Sequence, residues 1–583
     1  MESTIKELIN KALRECFDMA EVAFAVERPK ELTHGDYATN VALVISKTLA
    51  KNLNSGTQDI AATLVGYIND NKPPEIADVS IAGPGFINFS LSKEFFNMQL
   101  NMMLEQKNTS PITWEEKRVM VEYTDPNPFK PFHIGHLMTN AIGESIARII
   151  TASGGEVIRA NYQGDVGLHV AKAIWGIQQQ SSWVTEKQYA PKSLLSKNNP
   201  TYLAQYIGDC YVFGSEKYDS DEGVKKEIDI INKKIYEKDD DDINAIYVWG
   251  REATLEAFET IYRTLGTTFD YYFFESDMAI KGRALVERFF EKGVFVKSDG
   301  AIVFKAEEYN PKLHTRVFIT SNDLPTYETK ELGLTETKFE KETLDQSIVI
   351  TAVEQKDYMA VATEAMRQIH PEYAEKMKHI THGMMRFAAG KMSSRKGNVI
   401  TGESLLNDAQ VMALEKMKER AMDESVREGA ASVIGVAAIK YAILRQALGG
   451  DIIYDPEQSV SFDGDSGPYL QYSTTRARSV IAKATELGIV ASTKITPPAI
   501  YEIEKILCRF EETVEHAAKT LEPHHIATFL IDLASRFNSF YANEIIADPD
   551  DMYAPYKLAL TKAFAQTMTN GLYLLGISVP EKM

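Results

Sequence analysis

Hydrophobic and polar positions change period along the chain, and each change marks an element. MESTIKELINKALREC spaces its apolar residues at helical intervals and predicts an amphipathic helix. HGDYATNVALVISKTLA predicts a second helix with a polar entry. IADVSIAGPGFINFSLS alternates on either side of Gly83, Pro84 and Gly85, which predicts two short strands around a turn. NTSPITWEE, near 108–116, reads as a linker. KRVMVEYTD (117–125) is then β-rich, and PNPFKPFHIGH is a Pro-rich turn. LMTNAIGESIARIITASG (137–154) returns to helical spacing at Leu137, Ile142, Ile146 and Ile150 and stops at a Gly. EVIRANYQGD (156–165) predicts the next strand. Strand, helix, strand is the opening of a doubly wound α/β sheet.

Residues 180–245 are polar and contain the acidic run Asp239 to Asp242, which predicts a mostly helical surface insertion with a solvated acidic face. Strand patterns return at 271–275, 301–308, 316–321 and 347–355. From 401 onward helical periodicity dominates. EIEKILCRFEETVEHAAKTL, for instance, sets Ile503, Ile506, Leu507, Phe510, Val514 and Ala517 on one face. The fold expected is multidomain α/β, with a parallel-sheet central domain, an N-terminal α+β module and a C-terminal helical bundle.

Composition narrows the function only slightly. A chain of 583 residues is too long for one core. No apolar run reaches the ~18 residues of a membrane span, and the N-terminus lacks the pattern of a secretory signal. Cys16, Cys210 and Cys508 lie far apart with no CxxC pair, which argues against a structural zinc site or a disulfide framework. The net charge of −19 disfavours non-specific RNA binding and requires any nucleic-acid partner to dock on a local basic face.

Two segments carry chemistry. His133-Ile134-Gly135-His136 sits where a strand ends and a helix begins, so backbone N–H groups, the helix dipole and two imidazoles can meet a phosphate. Gly135 lets a nucleotide approach closely. Gly390-Lys391-Met392-Ser393-Ser394-Arg395-Lys396-Gly397 combines cations, small hydroxyls and glycines, which suits a polyphosphate whose charge grows as pyrophosphate leaves.

The pair, in this order and some 255 residues apart, resembles the HIGH and KMSKS motifs of class I aminoacyl-tRNA synthetases. Longer segments resemble the arginyl-tRNA synthetases in particular: VEYTDPNPFKPFHIGHLMTNAIGESIARI, ANYQGDVGLHVAK, PTYETKELG, SGPYLQYSTTRARS and the tail LALTKAFAQTMTNGLYLLGISVPEKM. The resemblance implies a Rossmann-like catalytic domain at 111–400, an N-terminal module at 1–110 that touches the tRNA elbow, stem-contact helices at 401–460 and an anticodon-binding bundle at 461–583. It implies that His133, Gly135, His136, Lys391, Met392 and Ser393 hold ATP. Ser394 replaces the second motif lysine, and Lys130 stands where some arginyl enzymes compensate. For arginine it implies Asn127 at the α-amino and carboxylate end, Glu275 and Glu331 at the guanidinium, Tyr327 beside them, and Gln355 and Asp165 as weaker candidates. Glu331 departs from the aspartate common in the family. For tRNA it implies Phe86 and Asn88 in the N-terminal module and Tyr472, Phe540, Tyr541 and Met583 in the bundle.

The reaction implied is ATP-dependent formation of arginyl-adenylate and transfer to tRNA(Arg), with activation dependent on tRNA. Mg²⁺ would accompany ATP, with no tightly bound protein metal; a cytoplasmic monomer is expected. Three rivals remain: another class I synthetase, a small-molecule nucleotidyltransferase with a His-x-Gly-His site, and a non-catalytic tRNA-binding homologue.

Overall fold

The computed structural model describes the chain except residues 21, 30, 50–55, 106–111, 181–199, 389–399 and 421. Lys391, Met392 and Ser393, with the rest of the basic loop, therefore lie outside the described residues. The chain forms two compact units. The first comprises Met1–Thr109, Ser473–Glu511 and Ile531–Met568; the second comprises Ser110–Tyr472, Glu512–Leu530 and Thr569–Met583.

In the first unit, β1 (Val26–Glu27), β2 (Tyr37–Thr39), β3 (Ile76–Ala82) and β4 (Phe86–Leu91) form an antiparallel sheet in the order β1-β2-β4-β3. The expected turn joins β3 to β4, with Gly83 at φ 53° and Gly85 at φ 127°. Those backbone angles favour glycine at both positions. The segment read as one helix from His34 begins instead with β2, and its helix runs Val41–Leu49. Tyr37 and Thr39 alternate inward and pair with β4, so tertiary pairing overrides the helical pattern. Ile5, Ile9, Leu64, Ile87 and Phe89 lie in the core.

The N-terminal module packs on C-terminal helices within this same unit. Lys93 Nζ is 2.8 Å from Glu504 Oε1, and Tyr556 Oη donates to Glu504 Oε2 at 2.8 Å. The run of helical spacing over 502–521 forms two helices, Glu502–Leu507 and Phe510–Thr520. Ile503, Ile506, Leu507, Val514 and Ala517 are buried.

The second unit is built on parallel strands. In chain order they are β5 (Arg118–Glu122), β6 (Glu156–Gln163) and β7 (Tyr271–Phe274). There follow the antiparallel β8 (Val296–Ser298), β9 (Ala301–Phe304) and β10 (Arg316–Ile319), then β11 (Gln346–Ala352) and β12 (Met377–His382). The parallel sheet has the order β12-β11-β5-β6-β7. The chain leaves β5 toward β6 and returns on its other side as β11, which makes the β5/β11 boundary a topological switch point. Ligands bind such sheets beyond the carboxyl ends of the strands at that boundary. Met120, Ile158, Phe273, Met278 and Leu334 pack on one face of the sheet. The Ile134–Ala152 helix approaches so closely that a methyl on Gly143 would lie 2.2 Å from Tyr123 Cγ.

The insertion is helical where described: Pro200–Ser220, Glu222–Glu237 and Asp241–Leu265. It is more than a surface feature. Ile207, Cys210, Ile228, Ile231 and Ile246 share a core with Val170 and Ile174 of the Leu168–Gln179 helix. Within the acidic run, Asp239, Asp241 and Asp242 are exposed, while Asp240 caps the Asp241–Leu265 helix by accepting from Ile243 N at 3.0 Å. Among the strands missing from the sequence reading, which include β1, β8 and β12, β13 (Met385–Phe387) and β14 (Ile452–Tyr454) pair in parallel. No helix among the described residues is long and apolar enough to cross a membrane.

Candidate active site

The turn after β5 is unusual backbone. Thr124 (φ 83°), Asp125 (φ 46°) and Phe129 (φ 68°) take positive φ without being glycine. Such conformations cost about 1–3 kcal/mol each and gather where a fold must hold functional groups in place. Asp125 Oδ1 accepts from Tyr162 N at 2.8 Å and thereby locks the turn to β6.

His133 caps the Ile134–Ala152 helix, and the two histidines cap each other. His136 N donates to His133 Nδ1 at 3.4 Å and His133 N donates to His136 Nδ1 at 3.3 Å. Their rings stack with centroids 3.4 Å apart. Desolvation and then Lys130 hold His133 down at about 4. Desolvation, His133 and Lys130 hold His136 well below the ordinary histidine range. Both rings are therefore neutral near pH 7. Because each Nδ1 accepts a backbone N–H, each proton resides on Nε2, which leaves two Nε2–H donors at the helix N-terminus. Lys130 Nζ stands over the Tyr211 ring at 5.4 Å, and Gly208 of the insertion admits Pro131 Cγ at 3.1 Å from where a Cβ would be. The insertion thus buttresses the histidine turn.

The chain that leaves the undescribed 389–399 segment returns to this turn. Thr401 pairs with His133 as an antiparallel bridge, and Gly402 N donates to Phe132 O at 2.7 Å.

The next strand ends complete the edge. A methyl on Gly164, after β6, would sit 2.3 Å from Asn127 Oδ1 and 3.2 Å from Glu275 Oε1, so these two side chains flank one point. Glu275 begins the Glu275–Phe290 helix after β7 and is 6% exposed. Its Oε2 accepts from Lys330 Nζ at 2.6 Å, and Lys330 is itself buried. Tyr327 is 61% exposed, with Lys330 Nζ 5.1 Å from its ring. Glu331 is 3% exposed, and its Oε1 has no hydrogen-bond partner. Nearby, Glu122 pairs with Lys338 at 2.6 Å, both buried. Desolvation, opposed by Lys338 and reinforced by Glu122 and Glu275, raises Glu331 to about 7. Gln355 follows β11 and accepts from Tyr358 Oη at 3.3 Å. Desolvation and the charges of Glu331, Glu122 and Glu275 raise Tyr358, which ties Gln355 to the acidic group.

Asp165 is different. Tyr247 Oη (3.0 Å), Arg251 Nε (2.9 Å), Ser276 N (2.9 Å) and Ser276 Oγ (2.8 Å) all donate to its fully buried carboxylate. That carboxylate holds the β6 and β7 ends together, with three donors on Oδ2 and one on Oδ1.

Sequence reading missed three groups here. Lys330 occupies Glu275, and no spacing in PTYETKELG signals that contact. Gly164 makes room for Asn127. His169 Nε2 lies 2.8 Å from Gly164 O, where desolvation and then Lys130 keep the ring neutral at about 3.

The candidates for RNA are spread over both units. In the first, Phe86 is 41% exposed and Asn88 half-buried, two residues apart on one face of β4. Also there, Tyr541 is 42% exposed with Arg476 5.2 Å from its ring, while Phe540 is buried against Tyr501 as packing. In the second, Tyr472 contacts Phe462 and Arg420, and Met583 packs against the cluster containing Met417 and Ile434.

Comparison with known proteins identifies the family. Residues 99–455 match the catalytic domain of class I (R) tRNA synthetases, 470–583 the DALR anticodon binding domain, and 3–91 the arginyl tRNA synthetase N terminal domain. The chain is 31% identical to the arginine–tRNA ligase of Clostridium perfringens over 99% of its own length and 100% of that protein's. It is 30% identical to that of Pediococcus pentosaceus, covering 98% of each. Its fold matches the arginyl-tRNA synthetases of Thermus thermophilus (TM-score 0.76, 24% identity, 100% of both chains) and Plasmodium falciparum (0.78, 19%, 100% and 99%). With a class I sheet, a histidine-capped helix at its switch point and homology along its whole length, the chain belongs to the arginyl-tRNA synthetase family.

Proposed function

We propose that this chain is an arginine–tRNA ligase that activates L-arginine with ATP and transfers it to tRNA(Arg), with the roles of its residues as follows. The observation that carries the reading is one edge of one sheet. Neutral imidazole donors on a helix N-terminus lie beyond the β5 end, and a buried acidic group lies beyond the ends of β7 and β11.

The Nε2–H groups of His133 and His136, with the N-terminal N–H groups of the helix, bind ATP phosphate oxygens. Gly135 keeps that approach open: a methyl there would meet the His133 ring at 2.9 Å. Lys130 adds charge beside them. Lys391, Met392 and Ser393 act from the segment whose far end Thr401 ties to His133. Asn127 holds the amino-acid end of arginine. Glu275 and Glu331 hold the guanidinium, beneath Tyr327 and beside Gln355. A guanidinium offers five donors in a planar fork, more than Lys330 alone can supply to these acids. The arginine carboxylate attacks the α-phosphorus in line and pyrophosphate leaves. The terminal ribose 2′-hydroxyl of tRNA then attacks the activated carbonyl and AMP leaves. The chain's part is positioning and charge stabilisation. Mg²⁺ brought by ATP would be held by phosphates and water, and no step here depends on it.

Phe86 and Asn88 contact the tRNA elbow, and Tyr472, Tyr541 and Met583 contact its anticodon stem-loop. Exposed aromatics stack on unpaired bases. The enzyme works as a cytoplasmic monomer, and activation requires tRNA. Aminoacylation with each amino acid and total tRNA tests the activity, and charging with anything but arginine overturns it. ATP–pyrophosphate exchange with arginine alone tests the tRNA requirement. Brisk exchange removes it.

A further inference from the structure

Among the described residues, three of the chain's eleven histidines crowd around one helix–turn–helix, where no step above uses them. The Phe510–Thr520 helix ends in Leu521, a non-glycine residue at φ 59°, and the next helix starts at His524. Across this turn the His516 and His525 rings lie 4.3 Å apart and the His524 and His525 rings 4.0 Å apart. His525 Nε2 is 3.3 Å from Glu522 Oε2, and His524 Nδ1 is 3.9 Å from the same oxygen. One ligand atom each from Glu522, His524 and His525 lies within 4.8 Å of the others. His524 Nδ1 is shielded from solvent and has no hydrogen-bond partner.

From these residues we infer a site for one divalent transition-metal ion of the zinc type, bound by Glu522 Oε2, His524 Nδ1 and His525 Nε2. The distances fit that ion. Bonds of about 2.0–2.2 Å in tetrahedral geometry set ligand atoms roughly 3.3–3.6 Å apart. Of the separations, 3.3 Å falls in this range, 3.9 Å lies just above it, and the third is within 4.8 Å. Two imidazole nitrogens and one carboxylate suit zinc and its neighbours, whereas magnesium and calcium take oxygen ligands. The ion would also satisfy His524 Nδ1, a buried polar atom that the fold otherwise leaves without a partner. Water completes the coordination, with His516 flanking it. The ion would staple the turn, since Glu522 lies before the second helix and both histidines lie on its first turn.

The test uses the full-length, tag-free chain after dialysis against a chelator. Calorimetric titration with Zn²⁺ and visible absorption during titration with Co²⁺ should show one saturable site with tetrahedral character. Affinity should fall at least about tenfold in Glu522→Gln, His524→Ala and His525→Ala. Zn²⁺ should raise the Tm of the wild type and leave that of the His524→Ala, His525→Ala double variant unchanged. Glu522→Gln preserves shape, so a loss of binding in that variant with an unchanged circular-dichroism spectrum supports the site. Absence of saturable binding to the wild type overturns it, and so does affinity unchanged in the double variant.

Discussion

Glu331 offers the sharpest test of how arginine is recognised. Its carboxyl is 3% exposed, one oxygen lacks a partner, and desolvation holds it at about 7. The groups facing it are Lys338 on its own helix, Glu122 and Asp125 from β5 and the turn beyond, Tyr162 on β6, Glu275 after β7, and Tyr358 after β11. Without substrate, the raised value means that Glu331 favours the fold most at low pH, and that this contribution is lost as pH rises from the ordinary glutamate range through about 7. Arginine reverses the slope. Guanidinium stays charged throughout and binds the ionised carboxylate, so affinity should climb with pH and level off above about 7. One pH unit below that value roughly a tenth of the carboxyl is ionised, so the apparent Kd should be about tenfold weaker, or about 1.4 kcal/mol. Glu331→Gln should lose the charge-assisted contact, about 1.5–3 kcal/mol, and lose the pH slope with it. Isothermal titration with arginine from pH 6 to about 8.5, wild type against variant, reads both effects, and the variant corrects for titration of the ligand itself. A wild-type affinity that is flat with pH and matched by Glu331→Gln would refute the reasoning.

Three further outcomes follow from the same site and from the N-terminal sheet. Lys330→Met strips the cation from buried Glu275 and should destabilise the enzyme by about 3 kcal/mol; arginine, able to take Lys330's place, should raise the Tm of this variant more than that of the wild type in thermal scans. Gly164→Ala places a methyl 2.3 Å from Asn127 Oδ1 and should raise the KM for arginine about tenfold or more, with the KM for ATP little changed; a proportional rise in both would indicate general distortion. Phe86→Ala should weaken tRNA binding by about 1–3 kcal/mol, the range for losing one base stack, and leave arginine binding measured without tRNA untouched; filter binding and calorimetry separate the two effects.

Much of this was legible in the sequence because local pattern and tertiary role coincide. β5 and β11 are largely apolar runs buried in a parallel sheet, and the histidine motif falls on a strand–helix junction whose backbone already favours anions. The rest depends on contacts that no period encodes. β2 is three residues long and exists because β1 and β4 pair with it. β13 and β14 are equally short and far apart in sequence. The pairing of Lys330 with Glu275 joins residues 55 positions apart, whereas sequence alone shows two acids and an unrelated lysine. Asp165 stands beside the site in sequence and space, yet its four donors make it a structural strut, which only the hydrogen-bond geometry reveals.

The main-chain bridge between His133 and Thr401 has a consequence for how such a protein can vary. Because the stitch uses backbone atoms, it survives most exchanges of side chain at either end. The small antiparallel sheet lies in the chain enclosed between those ends, where it can lengthen, shrink or change sequence without altering the spacing across the stitch. Gly402 is the exception, since a methyl there would press to 2.9 Å from Phe132 Cδ1. Tolerance to mutation should therefore be broad in that small sheet and narrow at the clasp.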